Sequence, residues 1–307
     1  MVDINKIETF LRATETLNFS ETAKQLHLSQ PTVSHQIKLL EKEMGVTLFK
    51  RTNTGLKLTE AGRFLLPMAR RLQRDSNNMQ AMMSSIQDDI VGELRITCST
   101  TAGKYILPQL AARFCYRYPG VKIRILACTS EDVTLKLLDG DAHLGVLSRE
   151  IRDSSFELQE FFTDTITLIA PTNHHWHPRK MIEPDEITTE PLIIREETSG
   201  TQRVVLSELA KFDINPADLN IFMELGNAEA IVHSVSDGYG VAFVSNLAST
   251  CPIERGRVTS IHVNGMELKR TIFMVRKASS NPHRPRDVFW SFIHAPENED
   301  LIHLAEQ

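Results

Sequence analysis

The sequence predicts an α/β multidomain protein with a winged helix-turn-helix at its N-terminus, a long helix after it, and a two-lobed domain beyond. Three observations predict this fold class. Capping residues and apolar spacing in residues 4–45 mark three helices, an apolar repeat covers residues 61–86, and strand-like runs alternate with helical ones beyond residue 92.

The composition is typical of a globular protein. Of the 307 residues, 41% are apolar and 24% are charged, and no apolar run approaches the roughly 18 residues that a membrane span needs. The N-terminal run MVDINKIETF carries charged residues and no apolar signal core. We therefore expect a cytoplasmic protein with no membrane partner.

Charge is distributed unevenly along the chain. The net charge is −5, but residues 1–89 hold 12 Lys and Arg against 10 Asp and Glu, whereas residues 90–307 hold 22 against 29. The small basic excess therefore lies at the N-terminal end, where a nucleic-acid-binding motif is predicted.

The three predicted N-terminal helices are placed by their caps. Apolar spacing predicts a helix over residues 4–17. Ser20 is a suitable N-cap for a second helix that ends near residue 26, and Ser29 is one for a third helix over residues 30–44, which Gly45 ends.

Two short extended runs follow, at residues 46–50 and 56–59. The turn sequence Asn53-Thr54-Gly55 lies between them, which predicts a small hairpin, the wing.

A long helix is predicted from its cap at Thr59 to about residue 89. Pro67 predicts a kink within it. A lone exposed helix of this length is unstable without a partner, so we interpret it as a dimerisation helix; packing on its own chain is the alternative. Its apolar positions form a heptad-like seam of Ala61, Leu65, Met68, Leu72, Met79, Met82 and Ile86.

The remainder predicts two βαβαβ units with parallel strands, joined by crossovers, which implies a cleft between two lobes. Predicted strands are 94–98, 121–128, 143–147, 191–195, 221–225 and 240–244, with a return strand to the first lobe at 267–276. Residues 161–171 are the expected crossover between the two units, and predicted helices are 102–116, 131–138, 200–212, 228–236 and 286–295.

The third helix carries the features of a DNA-reading element. Val33, Ile37, Leu40 and Met44 form one apolar side, and the opposite side is polar and basic in its N-terminal half, as base reading in the major groove requires. The alternative is a merely solvated basic face. The predicted DNA contacts are Ser20, Ser29, Gln30, Pro31, Thr32, Ser34, His35 and Lys38, with Lys50 and Arg51 of the wing contacting the DNA backbone or the minor groove.

Two hydroxyl-rich loops each follow a predicted strand and open a helix. They are Ser99-Thr100-Thr101, and Thr198-Ser199 with Thr201. Hydroxyls and free N–H groups at a helix N-terminus bind anions, and ligands of parallel sheets lie at the carboxyl ends of strands. Ser148, Arg149 and Asn227 are further candidates; helix capping alone is the alternative for each hydroxyl.

Cysteine and histidine patterns give no metal or cofactor prediction. Cys98, Cys115, Cys128 and Cys251 form neither a CxxC pair nor a zinc pattern, so free thiols are expected, with redox activity left open. The run His174-His175-Trp176-His177 has no carboxylate or cysteine nearby at ligand spacing, and we interpret it as a solvated loop.

Several runs resemble the LysR-type transcriptional regulators. They are Ser29-Gln-Pro-Thr-Val-Ser-His-Gln-Ile-Lys38, Leu40-Glu41, Gly45-Val46, Leu48-Phe-Lys-Arg51, Asn18-Phe-Ser-Glu-Thr-Ala23 and Leu58-Thr-Glu-Ala-Gly62. The resemblance covers the whole chain; one departure is His35, where family members commonly carry Arg.

The resemblance implies a periplasmic-binding-protein-like effector domain and a regulator that binds promoter DNA as a dimer of dimers and contacts RNA polymerase. Its effector would be small and anionic, tied to sulfur, nitrogen or carbon assimilation. The expected domains are 1–58 (winged helix-turn-helix), 59–89 (linker helix) and 90–307 (effector-binding), the last with lobe I at 93–163 and 266–307 and lobe II at 164–265.

Two alternatives to a ligand-controlled regulator remain open. One is a small-molecule-binding protein whose N-terminal helices serve only assembly. The other is an α/β enzyme, but the sequence has no nucleophile elbow, P-loop, GxGxxG run or Ser/His/Asp cluster, so we expect no enzymatic activity.

Overall fold

The computed structural model describes residues 3–52, 55–84, 90–98, 102–278 and 281–306. It divides into two compact units, Met1–Asp88 and Asp89–Gln307. Within the described ranges, no helix is both long and apolar enough to cross a membrane.

The first unit is a helical domain with a hairpin. Helices α1 and α3 and the start of the hairpin enclose a core around the fully buried Phe10 and Leu40. The elements are α1 (Ile4–Thr16), α2 (Phe19–Gln25), α3 (Gln30–Met44), β1 (Phe49–Thr52), β2 (Gly55–Leu58) and α4 (Glu60–Ser84). The predicted winged helix-turn-helix is confirmed.

The N-cap of α2 differs from the prediction. Asn18, in extended backbone, accepts hydrogen bonds from the backbone N–H of Ser20 at 2.9 Å and of Glu21 at 3.3 Å. The assignment of Ser20 as the cap is therefore wrong, and Ser20 lies exposed in the first turn. The helix starts earlier because Phe19 packs on the core, with its ring 5.5 Å from that of Phe49.

The hairpin begins three residues later than predicted. The backbone N–H groups of Leu48 and Phe49 donate to Glu41 Oε1 at 2.7 and 3.2 Å, so the chain before β1 is bound to α3 by a side chain rather than paired in a sheet. Strands β1 and β2 then pair antiparallel from Phe49↔Leu58 to Thr52↔Gly55. The predicted turn residues 53 and 54 lie outside the described residues.

Helix α4 is capped as predicted, since Thr59 Oγ1 accepts from the Gly62 N–H at 3.0 Å. It continues through Pro67. The predicted seam is partly wrong: Ala61 and Leu65 pack on the unit's own core. The exposed apolar stripe consists of Phe64, Met68, Leu72 and Met79. Ile86 and the side chain of Met82 lie outside the described part of the chain.

In the second unit, ten strands of the described chain form one continuous sheet. Along its main path the order is β4-β3-β5-β12-β6-β10-β8-β9, and β11 pairs with β6 and β7. The strands are β3 (Gly92–Cys98), β4 (Val121–Ala127), β5 (Leu144–Leu147), β6 (Phe156–Pro171), β7 (Met181–Ile182), β8 (Leu192–Arg195), β9 (Ile221–Leu225), β10 (Val241–Ser245), β11 (Val258–Val263) and β12 (Lys269–Lys277).

Helices cover this sheet and bury two main cores, one on each side of the crossing strand β6. They are α5 (Ala102–Tyr105), α6 (Leu107–Arg117), α7 (Ser130–Leu138), α8 (Gly200–Leu209), α9 (Ala228–Ser236), α10 (Asn246–Glu254), α11 (Arg284–Phe292) and α12 (Glu299–Glu306). Short 3-10 turns are Pro184–Thr189, Ala210–Phe212, Pro216–Asp218 and Pro296–Asn298.

Strand β6 divides the unit into two lobes. Up to Thr165 it pairs antiparallel with β12, which also pairs with β5; from Ile166 it pairs with β10 and β11. Lobe I therefore contains β3, β4, β5 and β12, and lobe II contains β8 to β11. This two-lobed arrangement confirms the predicted fold class.

Three differences from the predicted elements have local causes. The helix predicted over 102–116 is two helices, because Pro108 occupies the first turn of α6 and offers no N–H to α5. The helix predicted over 200–212 tightens into a 3-10 turn after Leu209. Helices α10 and α12 and strands β7 and β11 were not predicted; each is short, and α10 also lacks a clear apolar side.

Candidate nucleic-acid interface and ligand cleft

Helix α3 presents a polar face at its N-terminal half. Ser29 is the N-cap, with its Oγ accepting from the Thr32 N–H at 3.3 Å, and Pro31 lies in the first turn. The predicted DNA contacts on this helix are all exposed except Ser34, which is half-buried: Ser29, Gln30, Pro31, Thr32, Ser34, His35 and Lys38. The opposite side is buried, with Val33, Ile37 and Leu40 at most 2% exposed.

Two carboxylates of α3 are engaged within the unit. Glu41 binds the backbone at the start of the hairpin, and Glu43 forms an ion pair with Lys6 Nζ at 2.5 Å. Both acidic groups are therefore bound to other parts of the domain, which leaves the reading face basic. From the sequence, only the position of these two carboxylates near the C-terminal end of the helix is evident.

The wing places two lysines side by side. Lys50 of β1 and Lys57 of β2 are directly paired across the hairpin and both are exposed. Like charges directly opposite each other destabilise a hairpin on their own, so this pair does not stabilise the fold. Arg51 lies next in β1, opposite Leu56.

The double substitution Lys50→Ala with Lys57→Ala is expected to weaken DNA binding without changing sequence preference, because phosphate contacts carry no base information. We expect the slope of log affinity against log salt concentration to fall by about two, or one for each lost phosphate contact. Titrating labelled duplexes at several salt concentrations measures the slope. Lys122→Ala, on the exposed face of the second unit, is the matched control. An unchanged slope in the double variant would remove the wing from the interface.

In the second unit, the lobes meet where strand ends converge. Ser148 follows β5 of lobe I, and Gly200 begins α8 of lobe II. A Cβ built on Gly200 would lie 1.9 Å from Ser148 Oγ and 3.0 Å from Nη1 of Arg270 on β12. Gly200 therefore permits a close approach that a side chain would block. Sequence reasoning missed Arg270, because it lies within a strand that carries no motif.

Several polar atoms at this junction are buried yet unbonded. Ser148 Oγ, Arg149 Nε and Thr201 Oγ1 have no hydrogen-bond partner among the described residues, and Thr201 is only 2% exposed. A buried donor without a partner costs roughly 1–3 kcal/mol, so a hydrogen-bonding group placed at this junction would be stabilised there.

The floor of the cleft is a buried ionic network. Arg270 on β12 is the cross-strand neighbour of Asp164 on β6, and its Nε donates to Asp164 Oδ2 at 2.7 Å. Ser245, at the end of β10, donates to Asp164 Oδ1 at 2.6 Å. Since Asp164 is fully buried, this network joins three strands at the point where the lobes diverge.

Of the two acidic residues of the second loop, Glu196 is paired with an arginine. Arg195 binds Glu196 through two bonds of 2.8 Å. Burial alone would raise the pKa of Glu196, but the Arg195 guanidinium outweighs it and the pKa is lowered. Glu196 is therefore a neutralised partner, and Glu197 is exposed.

Of the remaining predicted effector residues, some cap a helix and others do not. Asn227 caps α9, accepting from the Glu229 and Ala230 N–H groups at 2.8 and 3.3 Å. Ser199 has the N-cap position of α8 but makes no capping bond and is buried, whereas Thr198 is exposed. Ser99, Thr100 and Thr101 lie outside the described residues.

A second contact joins the lobes beside the cleft. Glu229 on α9 of lobe II accepts from Lys104 Nζ at 3.0 Å and from the Tyr105 hydroxyl at 3.1 Å, both on α5 of lobe I. Burial raises the pKa of Tyr105, as does the nearby carboxylate, so its hydroxyl remains a donor. Nothing in the sequence predicted this pairing.

Burial raises the pKa of three of the cysteines. It raises the pKa of Cys98 to about 11 and also raises the pKa of Cys115 and of Cys128. Reactive cysteines require a lowered pKa, because the thiolate is the nucleophile. These three residues therefore fit free structural thiols.

One premise about the histidine run is wrong. A carboxylate does lie beside it, since Glu190 approaches His174 and His175, and Trp176 is fully buried rather than solvated. The fold brings Glu190 there from the turn before β8.

A winged helix-turn-helix and a two-lobed unit with a polar cleft define a DNA-binding regulator with an effector-binding domain. Family models agree with this class: residues 4–63 match the "Bacterial regulatory helix-turn-helix protein, lysR family", and residues 87–296 match the "LysR substrate binding domain". The chain belongs to the LysR family of transcriptional regulators, as its motifs indicated.

Named relatives and solved structures agree. An uncharacterized HTH-type transcriptional regulator of Methanocaldococcus jannaschii is 31% identical over 94% of this chain and 98% of its own length. The transcriptional activator CmpR of Synechocystis is 27% identical over 99% and 98%. Full-length CbnR complexed with its target DNA matches with a TM-score of 0.74 at 20% identity, covering 95% of this chain and 99% of CbnR.

Similarity extends to a solved regulatory domain with a bound small molecule. The regulatory domain of Synechocystis CcmR in complex with 2-PG matches with a TM-score of 0.59 at 21% identity, over 70% of this chain and 98% of that domain. The named relatives are regulators of transcription, so the chain is classed as a regulator rather than an enzyme.

Proposed function

We propose that this regulator binds promoter DNA through α3 and the wing, and that a small anionic effector bound between the lobes controls it. The observation that carries the effector proposal is the set of buried, unbonded donors at the junction: Ser148 Oγ, Arg149 Nε and Thr201 Oγ1. They lie beside the first turn of α8, whose free N–H groups and dipole favour negative charge.

Charge at the junction favours an anion over a cation. Asp164 is already paired with Arg270 and Glu196 with Arg195, whereas the guanidinium of Arg149 keeps an unbonded, buried Nε. An anion that bridges Arg149 of lobe I and Thr201 of lobe II would accept hydrogen bonds from Arg149 Nε and Thr201 Oγ1. Ser99, Thr100 and Thr101 belong to this proposal on their sequence alone, and Ser199 belongs to it as the unused cap of α8. The CcmR complex with 2-PG supports a small ligand in this fold.

The effector proposal is tested by thermal melting. A ligand that binds only the folded state raises the melting temperature by mass action, so inorganic phosphate, sulfate and small carboxylates are compared on the full chain. We expect at least one to stabilise the protein, and Arg149→Met to weaken that binding by roughly 1.5–3 kcal/mol, the usual contribution of a charged hydrogen bond.

Arg152→Met is the matched control for Arg149→Met, because Arg152 is three residues along and its side chain is 88% exposed. It is expected to leave the response intact. Equal loss in both variants, or an unaltered response in Arg149→Met, would place the anion elsewhere.

For the DNA interface, His35 is the most informative residue. It is exposed at the centre of the polar face of α3, and the substitution His35→Ala is expected to reduce affinity for the specific site by roughly 1–3 kcal/mol, as for one base contact. His35→Arg, the residue common in the family, is expected to retain binding. A gel-shift with DNA from upstream of the chain's own gene measures both; full affinity in the Ala variant would exclude His35 from the contact.

Self-association is proposed to use the exposed stripe of α4. Phe64, Met68 and Met79 are 59–75% exposed, and together with Leu72 they fall on one side of the helix. Pairing of two such stripes would bury them and bring two helix-turn-helix motifs together on an inverted repeat, with a dimer of dimers as the full assembly. Effector binding would shift the lobes, change the spacing of the motifs and so alter DNA bending and contact with RNA polymerase in the cytoplasm.

A small-molecule-binding protein with purely assembling N-terminal helices is the second candidate. The unbonded donors of the cleft fit it equally well, but the basic face of α3 and the paired lysines of the wing do not. Measuring DNA binding in the His35 and wing variants separates the two.

A further inference from the structure

Two histidines and one carboxylate lie close together on lobe II, just before the start of β8. The Thr198–Thr201 loop lies after the other end of this strand. His174 and His175 lie in the turn that follows β6, and Glu190 immediately precedes Pro191 and β8. His174 Nε2 is 3.3 Å from Glu190 Oε2, and His175 Nε2 is 3.7 Å from Glu190 Oε1. One ligand atom from each residue lies within 4.8 Å of the others.

We propose that His174, His175 and Glu190 bind a divalent transition-metal ion of the zinc, nickel or copper class. Imidazole nitrogens suit these ions, whereas magnesium and calcium require oxygen ligands. Two ligands about 2.1 Å from a tetrahedral metal lie roughly 3.4 Å apart, which is close to the 3.3 and 3.7 Å between the histidine Nε2 atoms and the Glu190 oxygens. Three protein ligands then leave a fourth position for water.

The turn holds the two histidines in place before any metal binds. Trp176, the next residue, is fully buried in the lobe II core, and its ring lies 4.6 Å from that of His174. The turn is closed by bonds from the His174 N–H to the Pro171 carbonyl at 3.0 Å and from the His177 N–H to the His174 carbonyl at 2.9 Å. Little ordering entropy therefore remains to be lost on binding.

The three proposed metal ligands differ in their exposure to solvent. The side chains of His174 and Glu190 are only 12% and 18% exposed, whereas that of His175 is 63% exposed. A metal can therefore enter from the His175 side and come to rest against two shielded ligands.

Metal binding requires a change of tautomer at His174. In the tautomer whose Nδ1 accepts the long bond of 3.3 Å from the Trp176 N–H, the proton of the neutral ring lies on Nε2, facing Glu190. A metal at Nε2 moves that proton to Nδ1 and breaks the bond to Trp176.

Bound metal would stabilise the chain at the start of β8, the strand that leads to the Thr198–Thr201 loop. This proposal is independent of the DNA and effector proposals, because its residues lie at the other end of that strand.

Fluorescence quenching tests the site directly. The chain has two tryptophans, so Trp290→Phe leaves Trp176, which is in ring contact with His174, as the reporter. In that full-length background we expect Ni²⁺ to quench Trp176 saturably, with one ion per chain, and excess Zn²⁺ to restore the emission. Absence of saturable quenching with Ni²⁺ in excess over protein would overturn the proposal.

Ligand variants locate the ion. His175→Ala and Glu190→Gln are each expected to weaken Ni²⁺ binding by at least roughly tenfold, since even outer-sphere partners contribute 10–100-fold. His262→Ala is the control, because this exposed histidine lies on β11, where its N–H bonds the Lys180 carbonyl beside the turn. Quenching that persists in both ligand variants would place the metal elsewhere.

Melting temperature provides a second readout that needs no fluorescence. Zn²⁺ is expected to raise the melting temperature of the wild-type chain and not that of Glu190→Gln. The Gln variant keeps an acceptor for both histidines, so its metal-free melting temperature reports whether the fold is intact. Equal stabilisation of the two proteins by Zn²⁺ would contradict the proposal.

Discussion

Replacing Asp164 by Ala is expected to destabilise the effector-binding unit by roughly 3–5 kcal/mol, because the substitution leaves the buried charge of Arg270 without a partner. The Arg270 side chain is 4% exposed and has two nitrogens at 2.6 and 2.7 Å from the carboxylate. Ser245 loses its acceptor as well. Chemical denaturation followed by circular dichroism measures the change in the free energy of unfolding.

Two further variants define the cause of that loss. In Asp164→Ala with Arg270→Met the buried charge is removed with its partner, and most of the stability is expected to return. Asp300→Ala breaks another two-bond Arg–Asp pair, with Arg113, but Asp300 is exposed and the effect is expected to be much smaller. Similar losses in Asp164→Ala and Asp300→Ala would show that burial does not govern the effect.

The second large effect is a loss of stability in acid that depends on His283. Its pKa is lowered from 6.5 to about 4, first by burial and then by the positive charges of Arg286 and Arg95, against which Asp287 acts weakly. His143 stacks on its ring at 3.8 Å. Below pH 6.5 His283 is protonated in the unfolded chain but remains neutral in the folded chain. The free energy of unfolding therefore falls as the pH drops towards 4.

This single group is expected to remove about 3 kcal/mol of stability between pH 6.5 and 4. His283 Nδ1 also caps α11 by accepting from the Arg286 N–H at 3.2 Å. His283→Asn keeps a capping acceptor and removes the titration, so its free energy of unfolding is expected to fall less in acid than that of the wild type.

Denaturation series at pH 7, 5.5 and 4.5 compare the wild type, His283→Asn and the exposed control His294→Asn. Only His283→Asn is expected to reduce the dependence of the free energy of unfolding on pH. Parallel profiles for all three proteins would show that His283 does not limit stability in acid.

Local signals explain what the sequence predicted well. Ser29, Pro31 and Gly45 bound α3 because each has a fixed role at a helix end, and the structure begins and ends the helix there. The alternation of strand and helix predicted the lobes for a similar reason. Ser20 was misplaced as a cap because Asn18, two residues earlier, is an equally good cap and tertiary packing of Phe19 decided between them.

Contacts between distant segments explain what the sequence could not show. Arg270 meets Asp164 across 106 residues and Glu229 meets Lys104 across 125, and no local pattern marks either pair. The same holds for Glu190 beside the histidines. In the cleft, the loops at 148–149 and 198–201 could be proposed from their position after strands, but their closeness depends on Gly200, which only the fold reveals.

DNA binding at graded salt concentrations is the most direct test of the central claim, that α3 and the wing bind promoter DNA under control of the cleft. The full chain is titrated onto DNA from upstream of its own gene, with and without the anion that raises its melting temperature. We predict specific binding that weakens linearly in log salt, by about 0.9 for each phosphate contact, and a footprint that the anion alters. Absent or salt-insensitive binding would contradict the account, as would a footprint that the saturating anion leaves unchanged.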